Sequence, residues 1–162
     1  MKKLLVVILL SMLLVGCSAG EFEQVSDVYA PQADPVKQEI KLTMPADASQ
    51  ATVQSDFGSI YFCDGYEIMV QTFLGGDIQG TIKELTGFDM EALTVIESEY
   101  GGLKRYECAW TAVGEAGASV GRTVVLDDGA YHYCVSLLAN EEEVAPLQET
   151  WQALIHSVTV QS

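Results

Sequence analysis

Residues 94–138 read TVIESEYGGLKRYECAWTAVGEAGASVGRTVVLDDGAYHYCVSLL, and their pattern decides the fold. Thr94–Tyr100 and Leu103–Thr111 are rich in β-branched and aromatic residues and meet across Gly101-Gly102. Ser119–Leu126 and Ala130–Leu138 meet in the same way across Asp128-Gly129. Runs of that composition divided by Gly-Gly or Asp-Gly predict hairpins, because the turn demands residues that tolerate positive φ. Val113 to Gly117 is expected as a looser turn between the two pairs. The stretch therefore predicts an antiparallel meander of four strands.

Upstream, Gly75-Gly76 interrupts the strand texture, and Ile78, Ile82 and Leu85 recur at helical spacing. Asp77 suits the N-cap of that short helix, better than a Thr81/Glu84 capping box, and Gly87 suits its stop. Before it, Ser59–Phe62 and Tyr66–Thr72 flank Cys63-Asp64-Gly65, a hairpin in which Asp64 and Gly65 are both expected at positive φ. Ala51–Ser55 is a weaker strand, and Ile40–Met44 alternates and stops at Pro45. Downstream, Val144, Leu147, Trp151, Leu154 and Ile155 form one apolar helical stripe. Asn140 is expected as its N-cap, with Glu141, Glu142 and Glu143 at the positive end of the helix dipole. Pro146 is tolerated only in the first turn, so the regular helix is expected to begin near Ala145. Ser157–Val160 ends the domain as an extended segment. The order strands, helix, strands, helix implies an α+β domain: an antiparallel sheet with helices packed on it.

The N-terminus has another texture. Lys2 and Lys3 precede the apolar run Leu4–Val15, broken only by Ser11. That run is shorter than the ~20 residues of a membrane-spanning helix and has the length of a signal-peptide core. Leu14-Val15-Gly16-Cys17 closes it and resembles the lipobox of bacterial lipoproteins. The resemblance implies cleavage before Cys17 and diacylglycerol on its thiol, and two acyl chains suffice for stable anchoring. The expected division is 1–16 as signal peptide, 17–38 as lipidated cysteine and flexible acidic tether, and 39–162 as a single domain. About 20 flexible residues reach roughly 25 Å, which would lift the domain off the membrane.

The chain of 162 residues carries 23 acidic and 8 basic residues, a net charge of −15. Loss of residues 1–16 removes Lys2 and Lys3 and leaves 6 − 23 = −17. Such a balance excludes a general nucleic-acid binder and repels an anionic membrane surface, so the lipid would have to supply the attachment.

Three cysteines remain after lipidation, so at least one is unpaired within the chain. Cys108 and Cys134 fall on strands with a third between them, which puts their Cα atoms ~10 Å apart, beyond disulfide reach. His132 and Cys134 share one face of their strand and are weak candidates for metal ligands, since a structural zinc site wants four ligands in close pairs. His156 suits the last turn of the closing helix as a cap. Asp127-Asp128-Gly129 reads as a turn, without calcium-loop spacing. Ser55, Ser59, Ser119 and Ser136 lie in no nucleophile motif, and no phosphate-cradling or dinucleotide loop is present. Tyr61, Tyr66, Tyr100, Tyr106, Tyr131, Tyr133 and Trp110 gather on strands and are candidates to line a ligand pocket or to fill the core.

The strand running into Pro45, the Gly101-Gly102 hairpin feeding Arg105-Tyr106, the run Asp128 to Tyr133, and the closing Trp151–Val160 segment together resemble the PsbP-like superfamily. The resemblance spans about residues 39–160 and implies an α/β/α sandwich. Members are mostly accessory, assembly or binding factors, and no catalytic residue carries over. The family often has Gly-Trp after the first strand's proline, where this chain has Ala46-Asp47. The expected function is thus a non-catalytic binding or accessory domain, lipid-anchored at the extracytoplasmic face of the cell membrane. An envelope protein or a small ligand is its partner, and no cofactor is implied. The alternative is an extracytoplasmic enzyme or metal-binding protein using His132 and Cys134.

Overall fold

The computed structural model describes residues 34–49, 54–114 and 117–161. The leader, the lipobox and Cys17 lie outside the described residues, as does the tether up to residue 33. From Pro35 onward the chain forms one compact unit.

Among the described residues nine strands and two α-helices follow in order. The strands are β1 (Glu39–Lys41), β2 (Gln54–Ser55), β3 (Gly58–Phe62), β4 (Tyr66–Leu74), β5 (Val95–Tyr100), β6 (Leu103–Gly114), β7 (Gly117–Asp127), β8 (Tyr131–Asn140) and β9 (Thr159–Gln161). Helix α1 (Ile78–Thr86) follows β4, and α2 (Gln148–Ser157) precedes β9. Seven strands form one antiparallel sheet in the order β2-β3-β4-β8-β7-β6-β5. The predicted meander is its β5-to-β8 half, and the β3–β4 hairpin docks against β8.

Side-chain alternation divides the sheet into two faces. On one, Ile68, Val124, Leu126, Tyr133, Val135 and Leu137 meet Trp151, Leu154 and Ile155 of α2. On the other, Tyr106, Val125 and Cys134 lie beneath Ile78 and Leu85 of α1. One helix on each side of one sheet is the α/β/α arrangement, and it is dominated by the sheet.

Local chemistry explains most boundaries. Asp77 Oδ1 accepts from Gln79 N at 3.1 Å, and Gly87, at φ +80°, lets its N–H reach Lys83 O. This is a side-chain N-cap and a left-handed C-cap on one helix. Gly101 and Gly102 both take positive φ in the β5–β6 turn. Gly121 is required for a different reason: a Cβ there would overlap the indole of Trp110, which lies across it.

Four expectations are corrected. The first strand is only Glu39–Lys41, and it leaves the main sheet to pair with β9, Ile40 opposite Val160. Leu42 and Met44 then pack on the core without strand pairing, and Thr43 N donates to Ser157 Oγ at 2.8 Å. In the β3–β4 turn Gly65 alone has positive φ; the closing bond from Cys63 N to Tyr66 O leaves Asp64 in an ordinary conformation. Of the second strand, Gln54 and Ser55 pair with β3 as expected, and residues 51–53 lie outside the described residues. The looser turn at 113–117 is a long hairpin whose ladder runs to Gly114 opposite Gly117. Finally, β8 continues through Asn140, which pairs with Ser119, so Asn140 caps no α-helix. Glu141–Glu143 form a short 3₁₀ turn, and α2 begins at Gln148, later than expected. Ladder pairing to β7 outcompetes the N-cap for Asn140, and Pro146 has no N–H to give a helix.

Candidate functional site

The predicted pair His132 and Cys134 sits near the start of β8, on the face beneath α1, and both side chains are 1% exposed. His132 Nδ1 lies 2.7 Å from Thr81 Oγ1 on α1. Its Nε2 is buried without a hydrogen-bond partner and faces Asp127 Oδ1 at 3.8 Å. That oxygen already accepts from Gly129 N at 2.7 Å. The Cys134 thiol points back to His132 O at 3.7 Å, and burial pushes its pKa far up, with Glu84 adding to the rise. A thiol held protonated is neither a good nucleophile nor a ready ligand. Among the described residues no three His, Cys, Asp or Glu side chains converge as a metal cluster would. The shared face was legible from strand alternation; Thr81 and Asp127 were not, since only the packing of α1 and the β7–β8 pairing bring them there.

Cys63, Cys108 and Cys134 are all free. Strand β7 separates Cys108 from Cys134, as the meander requires. Burial raises the thiol pKa of Cys63 and Cys108 as well.

The run Asp128 to Tyr133 works structurally. Asp128 Oδ1 accepts from Ala130 N at 2.8 Å and Tyr131 N at 2.7 Å, and its Oδ2 accepts from the Tyr133 hydroxyl at 2.8 Å. Burial pushes the Asp128 carboxyl up, but those three donors outweigh it and hold the pKa below the ordinary value. Tyr133 is pushed up to about 12, by burial first. Gln38 N donates to the Tyr133 hydroxyl at 3.1 Å, and the Tyr131 hydroxyl donates to Pro35 O at 3.1 Å. The turn thus fastens the segment by which the chain enters the domain.

Arg105, also in the resembling run, is buried. Its Nε donates to Glu107 Oε1 at 2.7 Å, its Nη2 to Ile155 O at 3.4 Å, and its guanidinium lies over the Tyr100 ring at 5.5 Å. It places a cation at the C-terminal end of α2, where the helix dipole favours one. His156, expected as the cap there, is exposed and bonds through Nδ1 to Gln152 O at 2.7 Å. Ser136, one of the serines weighed above, is buried in a hydrogen bond with Thr123 at 2.9 Å.

The aromatic residues do not gather in one pocket. Tyr66 and Tyr133 fill the core beneath α2, Tyr106 fills the core beneath α1, and Tyr100 is at the sheet edge. The clefts are shallow, and Tyr66 lines one of them. One of about 420 Å³ runs between β5 and α2, lined by Ile96, Glu107, Arg122 and Trp151. One of about 390 Å³ runs beside Lys37, Ile40, Phe57 and Val70. A third, of about 290 Å³, lies at Cys63 and Tyr66, where Tyr66 donates to Asp47 Oδ1 at 3.0 Å. Among the described residues no helix is long and apolar enough to cross a membrane.

No family model matches the sequence, and no curated protein matches it either. Solved structures share its fold. LpqN of Mycobacterium tuberculosis, described as involved in cell envelope biogenesis, superposes with a TM-score of 0.54 at 12% identity, covering 81% of this chain and 88% of that one. The Ran-binding protein Mog1p of Saccharomyces cerevisiae gives 0.52 at 11% identity, covering 75% and 89%. Cyanobacterial PsbP (CyanoP) of Synechocystis gives 0.51 at 8% identity, covering 82% and 98%. Against a longer protein of Bacteroides thetaiotaomicron the chain spans only 45% of the other's length. The fold is therefore PsbP-like. Proteins with such different descriptions share it, so it carries no activity by itself.

Proposed function

We propose that this PsbP-like domain is a non-catalytic binding or accessory module of the cell envelope, held at the extracytoplasmic face of the membrane by lipid on Cys17. The observation that carries the reading is the order Lys2-Lys3, Leu4–Val15, Gly16-Cys17 at the head of the chain. The fold shared with LpqN, described as involved in cell envelope biogenesis, supports the same compartment. A binding role is supported by how the reactive groups are used. Cys134 is buried and held protonated, Thr81 and His132 bond to each other, and Asp128 is saturated by three donors. What the domain presents to solvent is shallow clefts and exposed apolar side chains, which suit an envelope protein or small ligand better than enclosed chemistry. Two acyl chains on Cys17 would hold even a chain of net charge −17 at an anionic surface.

The test is metabolic labelling with a clickable fatty acid, comparing the chain with Cys17→Ala. The parent is expected to take label and sediment with membranes, and the variant to lose the label and leave the membrane fraction. Equal labelling and retention of the variant would refute the anchor.

A further inference from the structure

We propose that the end of the domain bearing Val36, Phe57 and Leu74 rests on the lipid bilayer that holds the chain, an inference that rests on the anchor at Cys17. These three side chains are 82%, 70% and 76% exposed. Single exposed apolar residues are ordinary, but these three belong to one place. Leu74 pairs with Tyr131 across β4 and β8, and the hydroxyl of Tyr131 donates to Pro35 O, next to Val36. Thr72, two residues before Leu74 on the same face, donates its N–H to Phe57 O at 2.8 Å. Lys37 reaches the neighbouring Asp56 O at 2.9 Å. Tyr100, 43% exposed, and the exposed Lys104 stand at the same end of the sheet, where β6 pairs with Asp127. Apolar side chains beside tyrosine and lysine suit the boundary between headgroups and acyl chains, where the ring and the long stem sit half in each phase.

The position of this end matters as much as its composition. The chain enters the domain here, at Pro35, and residues 18–34, 34 − 17 = 17 of them, separate Pro35 from Cys17. Seventeen residues span at most about 60 Å when fully extended, so the anchor confines the domain within that reach of the bilayer, and tethering at such short range raises effective concentration to the order of mM. A patch too weak to bind a membrane from solution is therefore occupied once the anchor is made. Lipid on Cys17 supplies the attraction, and the patch sets the orientation. The clefts beside β5 and near Cys63 then stay clear of the membrane.

The experiment uses the full lipidated chain reconstituted in phosphatidylcholine vesicles with brominated acyl chains, which quench an indole by contact when it enters the apolar layer. Phe57→Trp and Leu74→Trp are compared with Val113→Trp. Val113 is 85% exposed at the opposite end of the sheet, beyond Asn140 of β8. The ten residues of β8 alone put about 30 Å between the two ends. All three sites are exposed, so the indole disturbs no packing, and Trp110 and Trp151 give the same background throughout. The expected result is loss of emission at 57 and 74 and none at 113, relative to vesicles without bromine. Equal quenching at the three sites, or none, overturns the inference while flotation with the vesicles leaves the anchor standing. A chain that does not float overturns both. A photo-crosslinker at position 57 in the host's own membranes is expected to capture lipid; capture of a protein there in place of lipid would assign the patch to a partner and overturn the inference.

Discussion

Replacing Asp128 by alanine tests the claim that one carboxylate organises the entry of the chain into the domain. The change removes the acceptors of Ala130 N, Tyr131 N and the Tyr133 hydroxyl at one stroke. Bonds to a charged acceptor are worth about 1.5–3 kcal/mol each when fully buried, and a capping carboxylate in a partly exposed turn is worth about 0.5–2 kcal/mol. Asp128 is half-buried, so the lower scale applies to the backbone pair. The buried hydroxyl of Tyr133 adds roughly 1 kcal/mol. The sum is about 1.5–3 kcal/mol, and for a unit of this size about 5–10 °C in Tm. Asp128→Asn keeps one acceptor oxygen and is expected to lose about half as much. Tyr133→Phe removes the shared hydroxyl, so the double variant should fall short of additivity by about 1 kcal/mol.

The pH dependence has a definite sign. The folded pKa lies below the ordinary 3.8, so the carboxylate's contribution is complete above pH ~4 and is lost as pH falls through the folded value, below 3.8. Urea unfolding followed by indole fluorescence, repeated from pH 7 to pH 3, measures all of this. A variant within 0.5 kcal/mol of the parent at pH 7, the range of an ordinary surface change, would refute the reasoning. So would a difference that widens on acidification.

Two further outcomes follow from the buried groups. Thr81→Val leaves His132 Nδ1 unpaired in a site whose Nε2 already lacks a partner, and is expected to cost about 1–3 kcal/mol of stability in the same unfolding assay. With a thiol reagent at pH 8, half-buried Cys63 is expected to react before Cys108 and Cys134, which should be released only by denaturant. Prompt reaction of Cys134 in the native chain would contradict its burial.

The meander, α1 and its two caps, and the separation of Cys108 from Cys134 were legible because each depends on neighbours in sequence. Gly101-Gly102 must turn, Asp77 must cap the helix that follows it, and alternation must put His132 and Cys134 on one face. The end of β8 was not legible. Asn140 looks like a cap locally, and only the length of β7 across from it makes it a strand residue. The first strand looked like an ordinary sheet strand, and its partner, β9, lies at the far end of the described chain. Arg105 gave no sign of burial, because its partners Glu107, Ile155 and Tyr100 come from three elements.

The candidate surface divides in the same way. Val36, Phe57 and Leu74 sit at unrelated positions in the sequence, each next to a turn or a break, and none belongs to a periodic stripe. Their juxtaposition exists only because β4 pairs with β8 and the entering segment is fastened to Tyr131 and Tyr133. By itself the sequence determined the acidic charge, the leader pattern ending in Cys17, the turn positions and the alternation of faces, all properties of short range along the chain. The tertiary structure alone decided which edge pairs with which, that His132 and Cys134 are buried, and that Val36, Phe57 and Leu74 come together where the chain enters. Those are sums over contacts between residues distant in sequence, and no local pattern encodes them.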